Sequence, residues 1–249
     1  HVEAGLRSFD MSMPEEINRI LTDRISNILL TPSKDANENL IREGIKKEKI
    51  KLVGNIMIDS LLNNLENAKK SKIHDELKID KTEYVLITAH RPSNVDYENN
   101  LARIVKAIDI ICEDTKVVFP LHPRTSNMLT KFGFKNKLNQ IPNLILTKPL
   151  GYIDFLALIK DSRTILTDSG GLQEETTALG IPCITLRDNT ERPITIEKGT
   201  NTLTGNDTKK IIEVWKNINM NGGKKGQIPD LWDGKTSERI SNIIETFLK

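Results

Sequence analysis

The stretch Thr164-Ile165-Leu166-Thr167-Asp168-Ser169-Gly170-Gly171-Leu172-Gln173-Glu174-Glu175 decides the fold. A short apolar run gives way to two glycines and then directly to a helical pattern, the strand–turn–helix step of a parallel sheet. Glycines let a phosphate approach the backbone, and the free amides at a helix start, together with the dipole, favour an anion there. Ser169 adds a hydroxyl donor. Glu175, about one turn into the helix, can reach a ribose attached to those phosphates, where a carboxylate accepts from two hydroxyls. A plain glycine turn whose acids only serve the helix dipole accounts for the same residues, so both readings stay open on this stretch alone.

On either side the same alternation continues. Strands are expected over 84–89, 117–121, 144–147, 164–167 and 183–186, and helices over 100–112, 126–132, 153–159 and 172–179. Leu101, Ile104, Val105, Ile108 and Cys112 share one face of the first of these helices. Continuous apolar strands alternating with amphipathic helices mean an α/β fold with a doubly wound parallel sheet covered on both faces. Nearer the amino terminus, Pro14, Glu15 and Glu16 open a helix over 14–25 with Ile17, Ile20, Leu21 and Ile25 at helical spacing. A strand at 28–30, a helix introduced by Pro32 and Ser33 and ended by Gly44, a strand at 51–54 and a helix through Leu61 and Leu62 follow. The charged stretch 69–81 reads as a solvated connection, with His74 on the surface. A terminal helix carries Ile240, Ile243, Ile244 and Phe247 on one side and needs a surface to pack on. The chain opens at His1, with neither an initiator methionine nor a signal sequence, and is expected to begin mid-domain.

Composition narrows the function classes. Across 249 residues, 36 basic and 34 acidic side chains leave a formal charge of +2, which provides no general field for nucleic acid. No apolar run approaches the ~18 residues that a membrane span needs. Cys112 and Cys183 lie in apolar segments and read as reduced core thiols of a cytoplasmic protein, and no Cys/His spacing resembles a metal site.

Ligands of doubly wound sheets bind beyond the carboxyl ends of the strands. Two further loops there carry charge: Thr88-Ala89-His90-Arg91-Pro92-Ser93-Asn94 and Leu186-Arg187-Asp188-Asn189-Thr190-Glu191-Arg192-Pro193. His90 is a proton donor beside the permanent cation of Arg91, a pair that suits a diphosphate, and Arg187 or Arg192 can close on phosphates. Each loop also reads as exposed and merely charged; three anion-compatible loops at one sheet edge are harder to dismiss. Glu3 and Glu15 form a second cluster, and paired carboxylates beside a phosphate site suit proton removal and return at a sugar carbon. Glu15 and Arg19 also read as an i,i+4 helix pair, worth only about 0.2–0.5 kcal/mol. His122 ends a strand and either lines a cleft or is hydrogen-bonded structurally; Phe155 reads as core on general grounds.

In order and spacing, His1-Val2-Glu3-Ala4-Gly5-Leu6-Arg7, Pro14-Glu15-Glu16-Ile17-Asn18-Arg19, Val53-Gly54-Asn55, Thr88-Ala89-His90-Arg91, the stretch 167–175 and the loop 187–193 resemble the non-hydrolysing UDP-N-acetylglucosamine 2-epimerases. The resemblance covers essentially the whole chain. It implies a GT-B-like pair of Rossmann-like domains with most of the first absent from this chain: 1–50 a remnant of it, 51–220 the UDP-binding domain, and 221–249 a segment and helix packing back toward the first. It implies catalytic roles for Glu3, Glu15 and His90, substrate contacts from Arg19, Phe155, Ser169, Gly170, Gly171, Glu175 and Arg192, and a regulatory sugar-nucleotide contact at His122. The implied reaction removes the C2 proton, expels UDP to leave a glycal, and adds UDP back to give UDP-N-acetylmannosamine. It needs no metal or nicotinamide, because the sugar keeps its oxidation level. A homodimer serving polysaccharide biosynthesis is implied as well. The family's third catalytic acid and basic loop lie outside this sequence, and the loop from Arg7 to Pro14 is slightly shorter than in many relatives, which bears on where Glu15 sits. A hydrolysing 2-epimerase releasing N-acetylmannosamine, and a GT-B glycosyltransferase or non-catalytic UDP-sugar binder, are the alternatives.

Overall fold

A computed structural model describes all 249 residues. Pro14 and two acids in the first turn start α1 (Pro14–Ile25). β1 (Leu29–Thr31), α2 (Lys34–Arg42) and β2 (Ile50–Leu52) follow. β1 and β2 pair in parallel, and Val2 adds an isolated bridge to Leu30. Asn55 then caps α3 (Ile56–Ala68), its side chain accepting from the Met57 amide. A short α4 (Ile73–Leu77) leads into the main sheet.

That sheet is built from β3 (Tyr84–Thr88), α5 (Pro92–Val95), α6 (Glu98–Ile111), β4 (Lys116–Pro120), α7 (Pro123–Lys131), α8 (Phe134–Leu138), β5 (Leu144–Thr147), α9 (Tyr152–Lys160), β6 (Thr164–Thr167), α10 (Gly170–Leu179), β7 (Cys183–Thr185), α11 (Ile194–Glu197) and β8 (Asn201–Leu203). α12 (Thr208–Asn221) and α13 (Thr236–Phe247) close the chain. The six strands are all parallel in the order β5-β4-β3-β6-β7-β8. The winding reverses between β3 and β6, so a crevice opens outside their carboxyl ends. At that edge Thr88 stands opposite Thr167, their hydroxyls 2.7 Å apart.

Period-2 alternation sends successive strand residues to opposite faces. Val85, Ile87, Val117 and Phe119 join one core with α6 and with Ile211, Trp215 and Ile218 of α12. Tyr84, Leu86, Val118 and Ile165 join a second core with α3 and α9. The α/β expectation therefore holds, with element ends matching or shifted by three residues at most. β2 ends at Leu52 because Gly54 adopts φ +95°, which turns the backbone out of the ladder. The sequence reading left α12 and β8 unassigned.

The stretch 69–81 corrects the expectation of a solvated connection. It contains α4, and both Ile73 and His74 are buried. His74 Nε2 lies 3.1 Å from the Tyr84 hydroxyl, which donates to the Leu158 carbonyl at 2.7 Å. The lysines and acids around it face water while Ile73, His74 and Ile79 turn inward. Burial lowers the pKa of His74, against the pull of Asp161. Cys112 and Cys183 are buried free thiols, each pushed up to about 12 by burial.

α13 lies on α3, where the Thr236 and Ser237 amides donate to Asp59 at 3.1 and 2.7 Å. Trp232 Nε1 donates to the Pro32 carbonyl and Arg239 to that of Val53, so the terminal segment touches the early part of the chain. Its apolar side is only partly covered: Ile244 and Phe247 remain exposed. No helix is long and apolar enough to cross a membrane.

Candidate functional site

The β3 and β6 loops meet on one buried carboxylate, Asp168. It accepts from the His90 amide at 2.9 Å, the Arg91 amide at 2.8 Å and Asn94 Nδ2 at 3.2 Å. His90 Nδ1 lies 3.1 Å from its other oxygen. Burial opposes the Asp168 charge, but His90 and the two amides outweigh it and hold its pKa below the ordinary value. With Nδ1 turned to Asp168, the partly exposed His90 ring has Nε2 left for a ligand. Arg91 Nε also donates to the Asp168 carbonyl, at 2.9 Å. Asp168 sits inside the stretch that decided the fold, yet the sequence reading gave it no role.

Ser169 is the residue before α10, and its side chain makes no capping bond. The first-turn amides are therefore left for an anion. A Cβ at Gly170 would stand 2.5 Å from Arg192 Nη1 and 2.7 Å from Glu191 Oε1, so only glycine lets the guanidinium lie across the helix start. Arg192 pairs with Glu174 at 2.8 Å and Glu191 at 2.5 Å. Burial works against this cation, but Glu174 and Glu191 prevail and raise its pKa. Glu191 also takes Arg187 at 2.7 Å and Arg91 at 3.6 Å. Despite burial, Arg192 and Arg187 bring the Glu191 carboxyl down to about 2. Glu174 is pushed up to about 7 by burial, with Arg192 opposing and Glu3 adding to the rise. Glu175 is likewise pushed to about 7 by burial, and the Tyr152 hydroxyl lies 3.3 Å from it. Phe155, half-buried, packs against the second core from α9.

Facing this edge are the amino-terminal acids. Glu3 sits at φ +63°, a left-handed conformation that a non-glycine residue holds only where its surroundings impose it. Asp23 pins the residues on either side of Glu3: fully buried, it takes His1 Nδ1 at 2.6 Å, the Gly5 amide at 3.1 Å and Arg7 Nη2 at 2.7 Å. Arg7 continues to Glu43 at 2.7 Å. One Glu3 carboxylate oxygen is buried without a hydrogen-bond partner, and its charge bears on Arg192 and Glu174.

Arg19 corrects the i,i+4 expectation. Its partner is Glu16, at 2.6 Å, rather than Glu15. Glu16 is buried and accepts from the Ser8 amide and hydroxyl and the Phe9 amide, which closes the loop before α1. That leaves Glu15 exposed on a cavity of about 570 Å³, opposite Arg91, Asn94 and Arg187. Ser169, Glu175 and Phe155 do not line this cavity; the Glu191 arginines link it to the helix start. His122 is exposed, its Nδ1 accepting from the Arg124 amide at the start of α7, and its ring centroid lies 5.4 Å from that of His90. The sequence reading thus missed Asp168, Glu174 and Glu191 as site residues, and saw Arg91 only as the cation beside His90.

A sheet of this strand order, with a glycine turn, a helix start and cations gathered at its switch point, defines an α/β protein of the nucleotide-binding class. Residues 1–245 match the sequence model of the UDP-N-acetylglucosamine 2-epimerase family, and the chain belongs to that family. It is 46% identical to the UDP-N-acetylglucosamine 2-epimerase of Methanocaldococcus jannaschii, over 98% of this chain and 68% of that one. It is 41% identical to the UDP-2,3-diacetamido-2,3-dideoxy-D-glucuronate 2-epimerase of Pseudomonas aeruginosa, over 98% and 67%. The crystal structure of the M. jannaschii UDP-GlcNAc 2-epimerase in complex with UDP-GlcNAc and UDP superposes with a TM-score of 0.91 at 45% identity, over 99% of this chain and 68% of that one. The Neisseria meningitidis UDP-GlcNAc 2-epimerase bound to UDP-GlcNAc gives 0.88 at 31%, over 99% and 69%.

Proposed function

We propose that the protein epimerises UDP-N-acetylglucosamine at C2 to UDP-N-acetylmannosamine by elimination and re-addition of UDP. One observation carries the proposal: Asp168 gathers the α10 start and His90 into one crevice, and Glu3, on a strained backbone and with one carboxylate oxygen buried and unpartnered, brings its charge to bear on Arg192 at the edge. Breaking the anomeric C–O bond puts negative charge on the departing diphosphate, and preorganised amides, Arg192 and His90 lower the barrier where that charge develops. A carboxylate takes the C2 proton as the bond breaks, and a second carboxyl returns one to the opposite face of the glycal. Glu3 and Glu15 fill these roles. Glu175 accepts from the ribose hydroxyls, Phe155 borders the uracil, Ser169, Gly170 and Gly171 cradle the phosphates, and Arg19 and His122 contact the sugar nucleotide from the rim.

In this reading residues 1–50 belong to a first Rossmann-like unit, 51–220 form the UDP-binding unit, and 221–249 return toward the first. The protein works as a cytoplasmic homodimer without nucleic acid or membrane. The buried reduced thiols and the near-neutral charge support that placement.

The test is proton NMR of UDP-N-acetylglucosamine incubated with the protein in D₂O. Deuterium at C2 in a mixture of two UDP-sugars is expected. Free N-acetylmannosamine instead makes the protein a hydrolysing epimerase, and a C2 proton that never exchanges makes it a transferase or a binder. The diacetamido uronate sugar nucleotide, run in parallel, decides between the two substrates that relatives are named for.

A further inference from the structure

Glu191 holds more cationic charge than any ordinary ion pair requires. It is 2% exposed, and three guanidiniums converge on it: Arg187 on Oε2, with Arg192 and Arg91 on Oε1. Two come from the loop after β7 and the third from the loop after β3, about a hundred positions earlier in sequence. Arg91 and Arg187 line the cavity facing Glu15, whereas Arg192 lies over the start of α10, where a side chain at Gly170 would displace it. One buried carboxylate therefore fixes the spacing between the helix-start end of the crevice and its acid end. Without it, Arg192 would keep Glu174 and Arg91 the Asp168 carbonyl, but Arg187 would lose its ion partner and three like charges would be left to repel one another.

We infer that Glu191 is a positioning residue: it holds Arg91, Arg187 and Arg192 as one set, pre-arranged to receive the diphosphate of a nucleotide. The inference rests on the nucleotide reading proposed above. Glu191 itself lies behind the arginines and does not meet the ligand. A guanidinium has five N–H donors, so Arg192 keeps donors to offer phosphate beside its hydrogen bond to Glu191, and Arg187 and Arg91, held as ion pairs, keep theirs. Glutamine is the informative replacement. It has the same shape, but its amide nitrogen would face a guanidinium, donor against donor, and with the negative charge gone the three would no longer be held as a set.

The experiment titrates the wild type, Glu191→Gln and Glu191→Asp with UDP and, separately, with uridine, which keeps base and ribose but has no phosphate. UDP affinity of the Gln variant is expected to fall about tenfold or more, the scale of one lost charge-assisted contact, with uridine affinity changed by less than about twofold. The Asp variant is expected to lie between. Unchanged or tighter UDP binding by the Gln variant would mean that Glu191 merely opposes the ligand's charge, and would overturn the inference. Parallel loss of UDP and uridine would reduce Glu191 to a general structural role and overturn it equally. NMR of the arginine side-chain N–H groups keeps this separate from the nucleotide reading. Slowly exchanging signals from all three arginines, lost together in the Gln variant without any ligand, support the grip on the set even if the wild type binds neither probe. Loss of one signal with the other two intact refutes it.

Discussion

The two parallel sheets of this chain are held together by different physics. The six-stranded sheet lies between cores of 22 and 16 buried apolar residues, whereas the two-stranded sheet gathers only Ala4, Leu29 and Leu40. In place of an apolar core, residues 1–43 have a buried charge network: His1, Arg7 and the Gly5 amide on Asp23, and Glu43 on Arg7. Apolar burial is non-directional and tolerates small errors of angle. A buried ion network fixes angles and fails sharply when one member is lost. The nucleotide side needs a stable platform, the acid side needs Glu3 held in an unfavourable backbone conformation, and each is built from the interaction that suits it.

The comparison breaks most severely at Asp23. Asp23→Ala leaves Arg7 buried beside Glu43 alone and should cost about 3–5 kcal/mol, felt locally. Hydrogen exchange should show residues 1–43 unprotected while β3 to β7 stay protected; loss of protection everywhere would show that the two regions fold as one. Leu166→Ala opens a cavity in the larger core and should cost about 2–5 kcal/mol. Here the whole thermal transition should move down, the opposite pattern to Asp23→Ala.

Glu175 sharpens the comparison through pH. Burial keeps this carboxyl protonated up to about 7 in the fold, against an ordinary value of 4.5. The folded state thus binds the extra proton, so stability falls as pH rises from about 4.5 through 7 and stays lower above it. Glu175→Gln should stabilise the ligand-free protein at pH 8 by up to about 3 kcal/mol and leave it nearly unchanged at pH 4.5, read from urea midpoints. Equal effects at both pH values would remove the burial explanation. Tyr84→Phe deletes the hydroxyl between His74 and Leu158 and should cost about 1–2 kcal/mol. Lys34→Ala, at the exposed pair with Asp230 that spans the two regions, should leave the melting temperature unchanged.

What could be read from sequence follows the range of each interaction. Strand–helix alternation and the glycine turn at 167–171 are local patterns, and β3, β6 and α10 stand where they point. Ile211, Trp215 and Ile218 carried the same helical signal for α12, diluted by lysines and asparagines between them. His74 was hidden because a run of charge around a buried residue looks like a run of charge around an exposed one. The choice of Glu16 over Glu15 by Arg19 was ambiguous because three- and four-residue spacings both face each other on a helix. The Asp168 and Glu191 clusters join loops far apart in sequence, and no local pattern encodes contacts of that length.

Trp232 anchors on Pro32, and Asp59 receives the first amides of α13. These contacts tie residues 32 and 59 to partners 200 and 177 positions further along the chain. During translation the larger sheet can close as soon as β8 clears the ribosome, but Pro32 and Asp59 must wait, unlatched, until Trp232 and α13 emerge. A nascent chain stalled before Trp232 emerges would carry an ordered six-stranded sheet beside a two-stranded one still loose.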